Sequence, residues 1–249
     1  MINKVNDNII ISDNDNIILC ASFDIGKKNF SFYIQEINIT ELTKISNIPY
    51  INRYNENGSP TNDMTNILNK IYQNGKTIIY SNNDLTENCN SKISLDPETF
   101  HNMNDLLDSY LEYFDKCSYF IIEQQMNFGK FKTNHMALKL GHHCYSYFTF
   151  KYGRFKKYIE FPAYHKTQIL GSVKKQVKSY KNGKKRWKTM DKPDRKKWSI
   201  QKSREILTEK NETSVWNDIN KLKKKDDISD CITQLQSFIY LHFIDNKIF

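Results

Sequence analysis

Residues 17–37, IILCASFDIGKKNFSFYIQEI, decide the fold. From Ile17 to Ile25 the chain is almost continuously apolar, the pattern of a strand buried on both faces. Gly26 and Lys27–Lys28–Asn29 interrupt it, and Phe30–Ile37 resumes a strand-like composition. A connection this short joins antiparallel neighbours, so the run predicts a hairpin. The one charged residue of the first strand is Asp24, two residues before Gly26. An acid in so hydrophobic a strand costs free energy unless it is paired or bound to a cation.

Reading outward, residues 1–16 are polar and expected to be loose. TKISNIPYINRY, residues 43–54, is the candidate third strand, and the Asn-, Ser- and Asp-rich stretch near 55–97 reads as an insertion outside the core. Helical spacing returns in MNDLLDSYLEYFDKC, residues 103–117. A strand follows over Ser118–Gln125 (SYFIIEQQ), then a helix over about 134–152 and a strand at KYIEFPA, residues 157–163, which Pro162 ends. Lys and Arg dominate residues 174–202, one helix is expected over about 197–210, and a last one over about 226–243. No internal repeat occurs. This order predicts an α/β fold, a mixed five-stranded sheet with helices on both faces.

Composition narrows the class. The chain has 249 residues, 39% of them hydrophobic and 13% aromatic, enough for a substantial core. A net charge of +9 favours polyanionic partners. Five cysteines without a CxxC pair read as reduced thiols rather than a zinc or disulfide framework. His142, His143 and Cys144 are consecutive, and consecutive helical side chains point apart. No segment approaches the length of a membrane span. The N-terminus has neither an apolar run behind a basic start nor any arginine, unlike a secretory signal or a mitochondrial presequence.

Four acids carry the chemistry. Glu123, like Asp24, closes an apolar strand, and ligand sites in open α/β sheets gather at such strand ends. Asp227 and Asp230 open the last predicted helix, and their i, i+3 spacing puts both on one face. Ile228, Cys231, Ile232, Leu235, Phe238 and Ile239 form the stripe that would dock this helix on the sheet. Four hard oxygen donors suit two Mg²⁺ ions about 3.5–4 Å apart, the arrangement that hydrolyses phosphodiesters. Read singly, Asp226 and Asp227 also fit a helix cap and Asp24 a turn; Glu123 in a buried strand has no such bland explanation.

These residues resemble the motifs of the RuvC-type Holliday-junction resolvases of the ribonuclease H-like superfamily. SFDIGKKNFSF (22–32) is similar to the first motif, IIEQQ (121–125) to the second and KKDDISDC (224–231) to the last. IEFPAYHKTQILG (159–171) is similar to the segment whose lysine lies near the scissile phosphate, here Lys166. The Glu-Gln-Gln form and the lysines before the Asp pair are closest to the poxvirus branch, with the mitochondrial resolvases of fungi next. The resemblance spans roughly residues 17–40 and 100–245.

It implies a single ribonuclease H-like nuclease domain over residues 17–249, with Asp24, Glu123, Asp227 and Asp230 as metal ligands and Lys166 as a further catalytic residue. It implies two Mg²⁺ ions per site, Mn²⁺ substituting, and a homodimer that nicks four-way junctions in symmetric pairs. A pairing of Asp226 with Asp230 stays open. An intracellular protein is expected, in the host cytoplasm or virion of a large DNA virus rather than in mitochondria.

The DNA-binding residues are expected in KKQVKSYKNGKKRWKTMDKPDRKKW (174–198), where cations meet phosphates and rings meet unstacked bases. Lys174, Lys175, Lys184, Lys185, Arg186 and Trp187 are the candidates there, with Tyr180 and Trp198 as further rings. Lys130 and Lys132, in FGKFKTNH (128–135), form a second group. Two other readings share these residues: a broader nuclease acting on flaps, branched DNA or RNA–DNA hybrids, and a non-catalytic junction-binding protein. A pure binder gains nothing from acids facing phosphates, which argues against the latter.

Overall fold

In the computed structural model, which describes residues 16–91, 94–125, 134–178 and 185–247, the leading apolar run forms β1 (Ile17–Asp24), the central strand of a five-stranded sheet. β2 (Phe30–Asn38) pairs with it antiparallel, and β3 (Gly75–Asn83) pairs antiparallel with β2 at the edge. On the other side β4 (Cys117–Gln124) runs parallel to β1, and β5 (Lys157–Pro162) parallel to β4. The order β3-β2-β1-β4-β5 makes the mixed five-stranded sheet that the sequence predicts.

The helices are α1 (Ile39–Thr43), α2 (Asn62–Asn74), α3 (Pro97–Ser109), α4 (Leu111–Phe114), α5 (His135–Tyr152), α6 (Tyr164–Ile169), α7 (Lys192–Glu209), α8 (Thr213–Lys221) and α9 (Lys225–Ile239), which runs on into a π-helical turn at Tyr240–Ile244. A separate antiparallel hairpin, β6 (Lys175–Lys178) and β7 (Lys185–Lys188), lies between α6 and α7. Among the described residues no helix is long and apolar enough to cross a membrane.

Strand alternation sorts side chains between two cores. Leu19, Ala21 and Phe23 of β1 join Phe32, Phe114, Phe120 and Phe148 on the face covered by α3, α4 and α5. Cys20, with Ile121, Ile159 and Phe161, faces the opposite core, built on Ile228, Ile232, Leu235 and Phe238 of α9 and backed by α2, α7 and α8. Each side is therefore sealed by helices, as parallel central strands require.

Several expectations need correction. Residues 43–54 form no third strand: Pro49 lacks a donor, and Tyr50 and Ile51 are exposed on a 3₁₀ turn. The third strand is Gly75–Asn83, inside the stretch expected to be an insertion. That stretch also supplies α2, whose Met64, Ile67, Leu68 and Ile71 are buried in the core. The helix expected from residue 103 starts at Pro97, because Asp96 accepts from Thr99 N and proline suits the first turn. The basic segment 174–202 is not one unit: Asp191 accepts from Asp194 N, and Pro193 follows in the first turn. α7 thus begins at Lys192 rather than near Lys197.

A buried polar network far from the strand ends fixes how α9 lies along the sheet. Gln236 Nε2 donates to Gln35 Oε1 at 2.7 Å, and Lys210 Nζ donates to the same oxygen and to Tyr33 Oη at 3.0 Å. Tyr33 Oη bonds Thr77 Oγ1 at 2.6 Å, and Thr77 N donates to Glu212 at 2.7 Å. Gly75 leaves the room for this: a Cβ there would lie 1.8 Å from Gln35 Nε2.

The stem of Lys210 is partly exposed but its ammonium is sealed. Burial outweighs nearby Glu212 and lowers its pKa to about 7. Between about pH 7 and the ordinary lysine value of about 10.4 the unfolded chain binds the extra proton, so stability rises with pH in that window. Lys210→Met is expected to flatten that rise in urea denaturation measured from pH 7 to pH 10.

Candidate active site

Register and parity bring the first two acids together. β1 and β4 pair Ser22 with Ile121 and Phe23 with Ile122, so the next step along both strands sets Asp24 beside Glu123. Both share the parity of the α9-facing positions: Ser22 is bonded to Gln234 of α9, and Ile121 lies in the α9-side core. Ile228, Cys231, Ile232 and Leu235, all fully buried, dock α9 on that face and carry Asp227 and Asp230 towards the strand ends. Gln234, one turn beyond Asp230, ties the three elements together. Its amide nitrogen lies 3.0 Å from Ser22 Oγ and 3.1 Å from both Phe23 O and Ile121 O.

Lys166 completes the group. The short helix α6 follows β5 directly and turns the Lys166 ammonium to 2.8 Å from Glu123 Oε2 and 3.5 Å from Asp230 Oδ1. Its side chain is 8% exposed, against 17% for Glu123 and 28% for Asp230, so the contact forms largely out of water. The structure thus brings Asp24, Glu123, Lys166, Asp227 and Asp230 to one place.

The electrostatics follow from that crowding. Burial, then Glu123 and Asp230, push the Asp24 carboxyl well above the usual carboxylate range. Burial and neighbouring Asp226 raise Asp227 to about 6. For Lys166, burial works against the charge, but Asp230, Glu123 and Asp24 prevail and hold the proton more firmly than in water.

Helix α7 adds two contacts. Lys196 Nζ donates to Asp226, and Ser199 Oγ donates to Asp230 Oδ1 at 2.8 Å. Burial alone would raise Asp226, but the Lys196 bond holds it below the usual range. Asp227 Oδ2, by contrast, is buried without a hydrogen-bond partner. Of the two pairings left open by the sequence, Asp227 with Asp230 is the one with an unsatisfied oxygen to offer a cation.

The donor set fits a hard divalent metal: carboxylate oxygens, more acids than bases, and one orphaned buried oxygen. Among the described residues no three acids already converge at ligand spacing. The Lys166 ammonium lies between Glu123 and Asp230 and supplies counter-charge to the cluster.

The expected DNA-binding residues fare unevenly. Lys130, Lys132, Lys184 and Tyr180 lie outside the described residues. Lys174 is half-buried at the base of the hairpin, its N–H donating to Asn57 O at 2.7 Å. Lys175 is paired with Asp194 at 2.5 Å. Lys185, Arg186 and Trp187 fall on β7, where Arg186 is exposed and the indole 40% exposed. Trp198 is partly buried and packs against the α9-side core.

Sequence reasoning missed Lys196, Ser199 and Gln234. A signal existed: Ser199, Ser203, Ile206 and Leu207 are the buried residues of α7, and they recur at helical spacing. The density of lysines around them hides it.

No protein-family model matches the chain. It is 30% identical over 243 residues to uncharacterized protein 170L of Invertebrate iridescent virus 6, covering 93% of this chain and 92% of that one. It is 25% identical over 230 residues to uncharacterized protein 97L of Invertebrate iridescent virus 3, covering 88% and 98%. Among solved structures, the Fowlpox virus resolvase with its substrate Holliday junction DNA aligns at 18% identity and a TM-score of 0.44, over 90% of this chain and 99% of that one. Thermus thermophilus RuvC aligns at 9% identity and a TM-score of 0.48, over 90% and 96%.

Asp227→Asn is expected to weaken Mn²⁺ affinity, read from the metal-induced rise in melting temperature, by at least about 10-fold. Asp226→Asn lowers the metal-free melting temperature through loss of the Lys196 pair but keeps the Mn²⁺ response. The reverse pattern would return the site to Asp226 and Asp230.

Proposed function

The chain belongs to the family of iridescent-virus proteins that includes 170L, and we propose that it is a metal-dependent DNA endonuclease that resolves four-way junctions by paired symmetric nicks. The observation that carries this reading is the placement of Asp24 beside Glu123 at neighbouring strand ends, with the Lys166 ammonium between Glu123 and Asp230 and with Asp227 one turn from Asp230 on α9. The resemblance of all four segments to resolvase motifs, in the same order along the chain, agrees with it.

Asp24, Glu123, Asp227 and Asp230 would hold Mg²⁺ or Mn²⁺, two ions per site. Such ions, when bound, supply a more acidic water and neutralise charge on the phosphate oxygens. The chain's own residues do the rest. The rigid strand ends hold Asp24 and Glu123 at fixed separation, so little reorganisation is needed as charge develops. Lys166, kept protonated by its acidic neighbours, would set its ammonium against a non-bridging oxygen of the scissile phosphate.

The hairpin β6–β7 is tied to the start of α7 by the Lys175–Asp194 pair, two residues before the Lys196 that bonds Asp226, so a strand of DNA seated on the acids would pass close to it. Arg186 would meet phosphates, and Trp187 would offer a face to a base unstacked at the branch point. Symmetric nicking requires two sites acting on one junction, supplied by a homodimer.

The test is cleavage of a labelled immobile four-way junction in Mg²⁺, beside linear duplex, a flap and an RNA–DNA hybrid. Paired symmetric nicks on the junction alone are expected, with Glu123→Gln slowing them by more than about 100-fold while junction binding persists. Equal cutting of every branched form or of the hybrid would replace this reading with a broader nuclease, and tight binding without nicking would leave a junction-binding protein. Separately, Arg186→Ala is expected to lower junction affinity without moving the cut sites, and to reduce the log–log salt slope by about 0.9.

A further inference from the structure

The seam between α7 and α9 is unusual for a buried helix contact because it is lined by hydroxyls. Ser203 Oγ donates to Ser229 Oγ at 2.8 Å, and Ser229 Oγ in turn donates to Lys225 O at 2.8 Å. Thr233 Oγ1 lies 2.9 Å from Ser229 O and 3.1 Å from Asp230 O, so its proton is committed to its own helix. Small side chains let the two helices approach closely, and each hydroxyl bond fixes their offset along the axis.

Ser199 stands at the active-site end of this ladder and is 2% exposed. Its hydroxyl has two neighbours on α9, Thr233 Oγ1 at 3.4 Å and Asp230 Oδ1 at 2.8 Å. With Thr233 already donating elsewhere, and with a charged acceptor closer, the Ser199 proton goes to Asp230. Lys166 approaches the same oxygen at 3.5 Å. One turn earlier on α7, Lys196 binds Asp226. The helix therefore takes hold of both outer acids of the Asp226–Asp230 run and leaves Asp227 without a donor on its buried oxygen.

We propose that Ser199 is a positioning residue that sets the orientation of the Asp230 carboxylate for metal binding. This rests on the metal-site reading above and extends it to a residue that would touch neither metal nor DNA. A carboxylate at the start of a helix has several rotamers, and an ordered ligand needs one of them held by a partner behind it.

The experiment compares Ser199→Ala with Ser203→Ala, which removes a neighbouring rung of the same ladder and touches no acid. Both are small-to-smaller changes on a helix, and folding is checked by the melting temperature without metal. The probe is Mn²⁺ alone, titrated by isothermal calorimetry, with metal half-saturation of junction nicking and junction affinity in chelator measured alongside. Ser199→Ala is expected to weaken Mn²⁺ binding and raise its half-saturation by about 10- to 100-fold, with junction affinity in chelator unchanged. Ser203→Ala is expected to stay within about 3-fold of the parent on both metal readouts, well short of that loss. Equal Mn²⁺ affinity in the parent and Ser199→Ala overturns the assignment. So do equal losses in the two variants, which would assign Ser199 to packing. A parent protein that binds no Mn²⁺ would overturn the metal reading itself, and this inference with it.

Discussion

Carboxylates crowded at the ends of β1 and β4 and the start of α9 repel one another, and much of the surrounding structure answers that repulsion. Two unit charges about 4 Å apart at an effective dielectric of about 20 interact by on the order of 4 kcal/mol, several times the net worth of one hydrogen bond. Hydroxyls alone cannot hold such a cluster together. Lys166, 2.8 Å from Glu123 and 3.5 Å from Asp230, provides the opposing charge. Protonation takes up some of the rest, since both Asp24 and Asp227 hold their protons to higher pH than a free carboxyl.

The two ends of α9 do different work. Its first two turns carry the acids and are steadied by Lys196 and Ser199, with Gln234 one turn further on. Its later turns bury apolar side chains and, through Gln236, enter the network of Gln35, Lys210, Tyr33, Thr77 and Glu212. That network lies away from the strand ends, but it fixes the helix along the sheet. A sliding helix would carry Asp227 and Asp230 away from Asp24 and Glu123, so the distant polar contacts contribute to the geometry of the site.

Much of the site was legible from local pattern. Asp24 and Glu123 stand out because a buried strand has no ordinary use for an acid, and Asp227 with Asp230 because i, i+3 is one helical face. The hairpin opening and the alternation of later strands and helices were legible for the same reason: apolar periodicity is local. The third strand was not. GKTIIYSNN lies at the sheet edge with a short apolar centre among polar residues, directly after α2, so its local pattern blends into the polar sequence around it. The start of α7 was obscured by lysines, although Asp191 and Pro193 are ordinary helix-start residues.

The sequence by itself determined which residues could carry the chemistry, because residue type, strand polarity and helical spacing are properties of short segments. Only the tertiary structure distinguishes Asp226 from Asp227, because Lys196, 30 residues from Asp226, hydrogen-bonds that residue while a buried oxygen of Asp227 has no partner. It also placed Lys166 beside Glu123 and Asp230, packed Trp198 against the α9-side core, and set Ser199 behind Asp230. Each of these is a contact across a large sequence separation, set by how α6, α7 and α9 pack on one face of the sheet. Short-range pattern holds no information about such contacts.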